Sequence, residues 1–154
     1  MSGLGDVAPM SKVAILDKSA VPNTVGQIMA SPVVTVTPDT KVGDAVYLMK
    51  TKNIGSVVVI GSEQSVGIVT ERDLLLELAA SPYTVYAPVS SIMSKPVISC
   101  SPIATIFNAF VTMDEKKIRR LPVIQNNRLV GIVTERDLIR WMFRLIRYPQ
   151  IKLA

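Results

Sequence analysis

The pattern of apolar and polar positions predicts a strand followed by a helix in the first third of the chain. The run 33–37 is β-branched throughout and stops at Pro38-Asp39, as expected where a short strand gives way to a helix start. The apolar positions that follow share one face of a helix, and they are Val42, Ala45, Val46 and Met49.

Two further apolar runs predict a β-hairpin and then a second helix. The runs 56–60 and 66–70 flank the polar turn 61–64, which is the pattern of two antiparallel strands joined by a tight connection. Residues 71–79 then read as a helix. The whole unit is predicted to have the order β-α-β-β-α.

The second half of the chain repeats this pattern 64 residues later without a gap. Residues 66–74 recur letter for letter as residues 130–138. The matching elements are a strand at 97–101, a helix at 105–116, strands at 120–125 and 129–134, and a helix from 135 to about 147. We therefore predict an α/β (α+β) fold in which two units pack with pseudo-two-fold symmetry, a duplication that implies two related sites.

The repeat also predicts the division of the chain. A first unit covers 22–80 and a second covers 89–147, and the linker 81–88 is expected to be extended because it contains Pro82 and Pro88. An N-terminal tail, 1–21, and a C-terminal tail, 148–154, complete the chain. Each unit alone is small for a stable core, so the two are expected to pack on each other.

Composition narrows the chemistry. The chain of 154 residues has no His and a single Cys, Cys100, which excludes His-based metal sites, His-dependent triads and an intramolecular disulfide. A net charge of +5 favours anionic ligands without naming one. The apolar runs are too short for a membrane span and no secretory signal is apparent, so we expect a cytoplasmic protein.

The sequence Gly-Ile-Val-Thr-Glu-Arg-Asp, at 67–73 and 131–137, lies where a strand is predicted to end and a helix to begin. A helix N-terminus favours phosphate, a Thr hydroxyl can assist, and a carboxylate can accept hydrogen bonds from a ribose diol. Gly in the strand lets a ligand or a neighbouring backbone approach. A helix cap explains the same Thr and Asp without a ligand, and both roles can coexist.

With these motifs the chain resembles a tandem pair of cystathionine-β-synthase (CBS) domains over about residues 22–145. The resemblance rests on Ile-Met at 28–29 and 92–93, Pro-Val at 32–33 and 96–97, the run 118–123, and both Gly-h-x-Thr-x-x-Asp motifs. It implies a non-catalytic regulatory module that binds AMP, ADP or ATP, with S-adenosylmethionine or NAD as alternatives. It further implies a homodimer, an unknown regulated protein, no metal and no obligatory cofactor.

The resemblance also implies that each cleft mixes both repeats. In the first cleft adenine would lie near Gly55 and the ribose near Asp137; the expected set is Val33, Ile54, Gly55, Arg119, Arg120, Ile132, Thr134, Arg136 and Asp137. The second cleft would use Val97, Ile118, Ile68, Thr70, Arg72 and Asp73, with Arg119 near its adenine.

The two clefts differ at the start of the second predicted strand of each repeat, where residues 54–56 are Ile-Gly-Ser and residues 118–120 are Ile-Arg-Arg. The first cleft combines an open slot at Gly55 with two guanidinium groups for phosphate, so we expect it to dominate. In the second cleft Arg119 is expected to crowd the base, and Gly55 and Ser56 bring no charge. The alternative for Arg119 and Arg120 is a solvated pair near Asp114 or Glu115.

The last helix carries a basic stripe formed by Arg136, Arg140, Arg144 and Arg147. Beside apolar residues, this stripe suits a dimer or core face with a solvated edge. The alternatives are contact with an anionic membrane surface, or an adaptor that binds nucleic acid or another protein and needs no ligand. A purely structural dimerisation module is a further alternative. The sequence contains no P-loop and no His, so an enzyme is not expected.

Overall fold

The computed structural model describes residues 22–147, so the predicted tails at 1–21 and 148–154 lie outside the described residues. In chain order the elements are β1 (Thr35–Val36), α1 (Val42–Lys52), β2 (Ser56–Gly61), β3 (Gln64–Thr70), α2 (Glu71–Ala80), α3 (Ile106–Lys116), β4 (Arg120–Gln125), β5 (Arg128–Thr134) and α4 (Glu135–Arg147). Short 3₁₀ helices occur at Val25–Gln27, Pro82–Tyr86 and Val89–Ser91. The expectation of an extended linker at 81–88 is therefore wrong, because residues 82–86 of that linker are helical. The predicted mixed fold is confirmed.

The strands form one small sheet in each repeat. In the first repeat β1 pairs in parallel with β2, and β2 pairs antiparallel with β3. In the second repeat β4 pairs antiparallel with β5. Both hairpins carry the same irregularity, between Val59 and Ile60 and between Val123 and Ile124, as expected for copies of one unit.

The strand predicted at 97–101 is wrong, because only Cys100 pairs there, in a single parallel bridge with Val123. In the first repeat the N–H of Val58 donates to the carbonyl of Val34 over 3.3 Å. The matching position in β4 is Pro122, which has no N–H to donate. The strand predicted at 33–37 is also shorter than expected and is limited to β1.

Each repeat has its own core, but each core is completed by a segment of the other repeat. We call these segments, 25–30 and 89–94, the entry segments. Val89 is fully buried in the cluster formed by the first repeat, and Val25 is fully buried in that of the second. The N–H of Val89 donates to the carbonyl of Thr40 (2.8 Å), and the N–H of Val25 donates to that of Ala104 (2.9 Å). The two halves therefore pack as one body.

The entry segments continue along the last strand of the opposite repeat. Ala30 exchanges two backbone hydrogen bonds with Ile132, and Ser94 exchanges two with Ile68. These contacts set the walls of the clefts between the repeats. None of the helices within 22–147 has both the length and the apolar character needed to cross a membrane.

The motif glycines serve this packing. A Cβ added at Gly67 would lie 2.7 Å from Cγ of Met93, and one added at Gly131 would lie 2.8 Å from Cγ of Met29. The expected approach of a neighbouring backbone is confirmed at Gly131, where the carbonyl oxygen of Ala30 would lie 3.1 Å from the added Cβ. At Gly67 a methionine side chain from the other repeat occupies the space instead.

Candidate functional site

The two Thr-x-x-Asp turns are preformed helix caps. The N–H and the hydroxyl of Thr70 donate to Oδ2 of Asp73 over 2.8 and 2.9 Å, and the N–H of Asp73 donates back to the Thr70 hydroxyl over 3.4 Å. Thr134 and Asp137 repeat this arrangement. The capping interpretation is confirmed for both copies, and each cap leaves Oδ1 of its aspartate outside the capping bonds.

A cavity of about 470 Å³ lies between the repeats at the first of these caps. Its walls come from the α2 start, from the entry to the second repeat and from the start of β4. The lining residues are Ile68, Thr70, Glu71, Arg72, Asp73, Ser94, Pro96, Ile98, Lys117, Ile118, Arg119, Arg120 and Pro122. We refer to this space as the Asp73 cleft.

The structure brings together five of the six residues expected in the second cleft. Ile68, Thr70, Arg72, Asp73 and Ile118 all line the Asp73 cleft. Val97 does not line it, whereas both of its neighbours, Pro96 and Ile98, do, because successive side chains of an extended segment point to opposite sides.

The Asp73 cleft is mainly basic. Four cationic residues line it, Arg72, Lys117, Arg119 and Arg120, against the two carboxylates of Glu71 and Asp73. Two of these cations make exposed ion pairs: Arg119 lies 3.8 Å from Glu135, and Lys117 lies 3.5 Å from Asp114. This charge favours an anionic group on the ligand.

The residues expected in the first cleft do not lie together as those of the second cleft do. The guanidinium of Arg120 lies over Gly55, where an added Cβ would be 2.6 and 2.7 Å from Nη2 and Nη1. The expectation of an open slot at Gly55 is therefore wrong. Burial lowers the pKa of Arg120, an effect that the Glu71 carboxylate opposes.

The other members of the expected first set are spread over three places. Thr134 and Asp137 form the second cap, Arg136 is exposed beside them, and Ile132 is bonded to Ala30. Val33 lines a separate, wide depression of about 690 Å³ that also includes Glu63 and Arg128. Ile54 packs against the first core and does not line the Asp73 cleft.

The sequence reasoning missed six lining residues of the Asp73 cleft, which are Glu71, Ser94, Pro96, Ile98, Lys117 and Pro122. Ser94 donates its hydroxyl to Oδ1 of Asp73 over 3.3 Å, and Lys117 lies at the end of α3 with a left-handed backbone, φ 53°. The sequence did carry a signal for Ser94 and Lys117, since they differ from the matching residues of the first repeat, Ala30 and Asn53.

Among residues 22–147, no three His, Cys, Asp or Glu side chains gather as metal ligands.

Comparison with known proteins identifies the fold. The family model described as CBS domain matches residues 25–80 and 89–144. The CBS domain-containing protein YhcV of Bacillus subtilis is 35% identical over 116 residues, which are 75% of this chain and 83% of that protein.

Solved structures agree with the family match. The CBS-domain containing protein ATU1752 from Agrobacterium tumefaciens superposes with a TM-score of 0.75 and 30% identity, covering 80% of this chain and 96% of that one. The structure of CBSX2 in complex with AMP superposes with a TM-score of 0.70 and 29% identity, covering 81% and 99%.

Proposed function

Because the chain belongs to the CBS domain family, we propose that it is a non-catalytic sensor that binds an adenosine nucleotide between its repeats. The observation that carries this proposal is the Asp73 cleft, which joins a carboxylate on a helix start to four cationic side chains. The AMP complex of the similar protein CBSX2 supports the ligand class. AMP, ADP and ATP fit this chemistry best, with S-adenosylmethionine and NAD as alternatives.

We place the stronger site in the Asp73 cleft rather than in the cleft of Asp137. Oδ1 of Asp73 is outside the cap and can accept a ribose hydroxyl beside Ser94. Ile98, Ile118 and Pro122 offer apolar surface for adenine, and Arg72 lies on the α2 start where phosphate is favoured.

The cleft of Asp137 lacks most of these features. Where the Asp73 cleft has Ser94, Lys117 and Arg119, the matching residues are Ala30, Asn53 and Gly55. The guanidinium of Arg120 covers Gly55, so a base could bind there only after that side chain moved. We therefore propose one dominant site per chain and a weaker site at Asp137.

Calorimetric titration of nucleotide-free protein with AMP, ADP, ATP, S-adenosylmethionine and NAD tests this proposal. The matched variants are Asp73→Asn and Asp137→Asn, because asparagine keeps one oxygen for the cap and loses the charge. Loss of hydrogen bonds to a charged group costs about 1.5–3 kcal/mol, so Asp73→Asn should weaken binding roughly 10- to 100-fold. Asp137→Asn should leave the strong site unchanged.

Three other outcomes would contradict the proposed site, the proposed ligand or the non-catalytic role. If Asp137→Asn abolishes binding and Asp73→Asn does not, the strong site lies in the other cleft. If none of the five compounds binds, the nucleotide proposal fails and both motifs remain helix caps. Hydrolysis of ATP that depends on Asp73 would instead reveal an enzyme.

A regulatory role requires that the nucleotide bind one arrangement of the protein better than another. A partner must read that difference, and we propose a homodimer that acts on another, unidentified protein in the cytoplasm. The exposed Arg140, Arg144 and Arg147 of α4 support an alternative adaptor function toward nucleic acid or an acidic protein. Salt-sensitive binding of RNA or DNA, lost in Arg140→Ala/Arg144→Ala and kept in Asp73→Asn, would favour that alternative.

A further inference from the structure

The Arg120 side chain lies where the two clefts meet. Arg120 begins β4 and lines the Asp73 cleft. Its guanidinium reaches the residue before β2, where a Cβ added at Gly55 would lie 2.6 Å from Nη2. Gly55 is the counterpart of Arg119, which lines the Asp73 cleft, so the pseudo-symmetry assigns Gly55 to the cleft of Asp137. One side chain therefore contacts both clefts.

The guanidinium of Arg120 also lies near the position that favours phosphate. The N–H of Glu71 donates to the carbonyl of Gly55 over 3.1 Å, so Gly55 lies beside the first residue of α2. Burial lowers the pKa of Arg120, and the Glu71 carboxylate is close enough to oppose that effect. Because the start of a helix attracts anions, a phosphate bound at the α2 start would lie within reach of Arg120.

Arg120 has no fixed partner of its own. Its side chain is half-buried, and among residues 22–147 its guanidinium makes no hydrogen bond and no salt bridge. A cation that has lost part of its hydration gains most from a charged acceptor at hydrogen-bond distance. A phosphate supplies such an acceptor, and a guanidinium can bind it through two N–H groups, which fixes the orientation of the side chain.

The matching position in the first repeat cannot make the same connection. Ser56 stands in the place of Arg120, is 8% exposed and carries no charge. A serine side chain is too short to cross to the other cleft as the arginine does. Of these two matching positions, only Arg120 connects the clefts.

We propose that Arg120 makes the two clefts compete for nucleotide. A phosphate in the Asp73 cleft holds the guanidinium over Gly55 and so closes the base slot of the Asp137 cleft. Coupling between two sites is reciprocal, so a base at Gly55 displaces Arg120 and weakens the binding of phosphate in the Asp73 cleft. This inference rests on the proposed function, and it adds that the first nucleotide bound opposes the second.

Calorimetric titration of the nucleotide-free full chain with AMP tests this coupling. Arg120→Ala should weaken binding of the first AMP and strengthen binding of the second, each by roughly 10- to 100-fold, the range for a hydrogen bond to a charged group. Arg119→Ala is the matched control: it removes an arginine from the same cleft without uncovering Gly55, so it should weaken the first AMP alone. Adding Asp137→Asn to Arg120→Ala should remove the gain, because the strengthened site contains Asp137.

Adenosine distinguishes a side chain held by phosphate from one that only blocks the slot. If phosphate holds Arg120 over Gly55, Arg120→Ala should strengthen binding of a second adenosine much less than that of a second AMP. Equal gains for the two compounds overturn the coupling, and so does an equal gain in Arg119→Ala.

Arg120→Gln provides a second variant in case Arg120→Ala does not fold, since it keeps a long polar side chain at this half-buried position and loses the charge. If the wild type binds AMP and neither Arg120 variant strengthens the second site, the coupling is overturned and the proposed function stands. If the wild type binds no AMP, both are overturned.

Discussion

Gly67→Ala tests whether the repeats are locked together through their entry segments. The new methyl group would lie 2.7 Å from Cγ and 3.1 Å from Cβ of Met93, where ordinary contacts are 3.4–4 Å. Cβ of Met93 cannot retreat freely, because the N–H of Met93 is bonded to the carbonyl of Val89 over 2.9 Å, and its side chain packs on the first core. Overpacking of this kind costs about 1–3 kcal/mol, which is the loss we expect.

The assay is urea unfolding of four proteins, the wild type, Gly67→Ala, Met93→Ala and the double variant, which together form a double-mutant cycle. Met93→Ala alone should cost about 2–5 kcal/mol, but the added methyl group of Gly67→Ala should then be tolerated or even fill part of the space. The coupling between the two positions should therefore reach at least about 1 kcal/mol. Gly61→Ala is a matched control at the end of β2, where the nearest atoms are at 3.3–3.4 Å. Additive effects at positions 67 and 93, or a Gly67→Ala loss no greater than that of Gly61→Ala, would refute the reasoning.

Three further predictions concern the cores, the caps and the thiol. Leu121→Ala, at a fully buried site in the second core, should lower the free energy of unfolding by about 2–5 kcal/mol in chemical denaturation. Thr70→Ala and Thr134→Ala should each cost about 1 kcal/mol by the same assay, because the two caps make the same bonds; a clear difference would contradict that symmetry. Burial raises the pKa of the Cys100 thiol to about 11 from 9.0, so its alkylation rate should still be rising above pH 9 in folded protein and level off earlier in urea. Because the folded pKa is the higher one, this group favours folding below pH 9, and its contribution should fade as pH rises toward 11.

The repeated hydrophobic pattern was enough to predict the elements of both units and their pseudo-symmetry. It failed at 97–101 because the loss of pairing depends on a single missing N–H, at Pro122 in the facing strand. A local pattern of apolar residues shows that a segment is buried and does not show in which core. For that reason the sequence did not reveal that Val25 and Val89 each close the opposite repeat.

The sequence predicted the individual residues of the candidate site, but it did not predict which of the two clefts would receive the arginine side chains. The Thr-x-x-Asp pairs were recognised because their chemistry is local. The direction of the Arg120 side chain is a tertiary property, set by the space over Gly55 and by the Glu71 carboxylate. Since β-strand side chains alternate between faces, the sequence could not assign Arg119 and Arg120 to one cleft without the geometry of β4.

Because the entry segments are exchanged between the repeats, the two cores can be completed at different times during synthesis. The first core uses residues from Val34 to Met93, so all of its members are present once the chain has been made through position 93. The second core joins Val25, Ile28 and Met29 to Leu138, near the far end of the described chain. Those three early apolar residues must wait while the ribosome makes more than a hundred others, and domains generally close in the order in which they emerge. The second core can therefore close only after the second repeat has been made, when residues 25–29 pack against it.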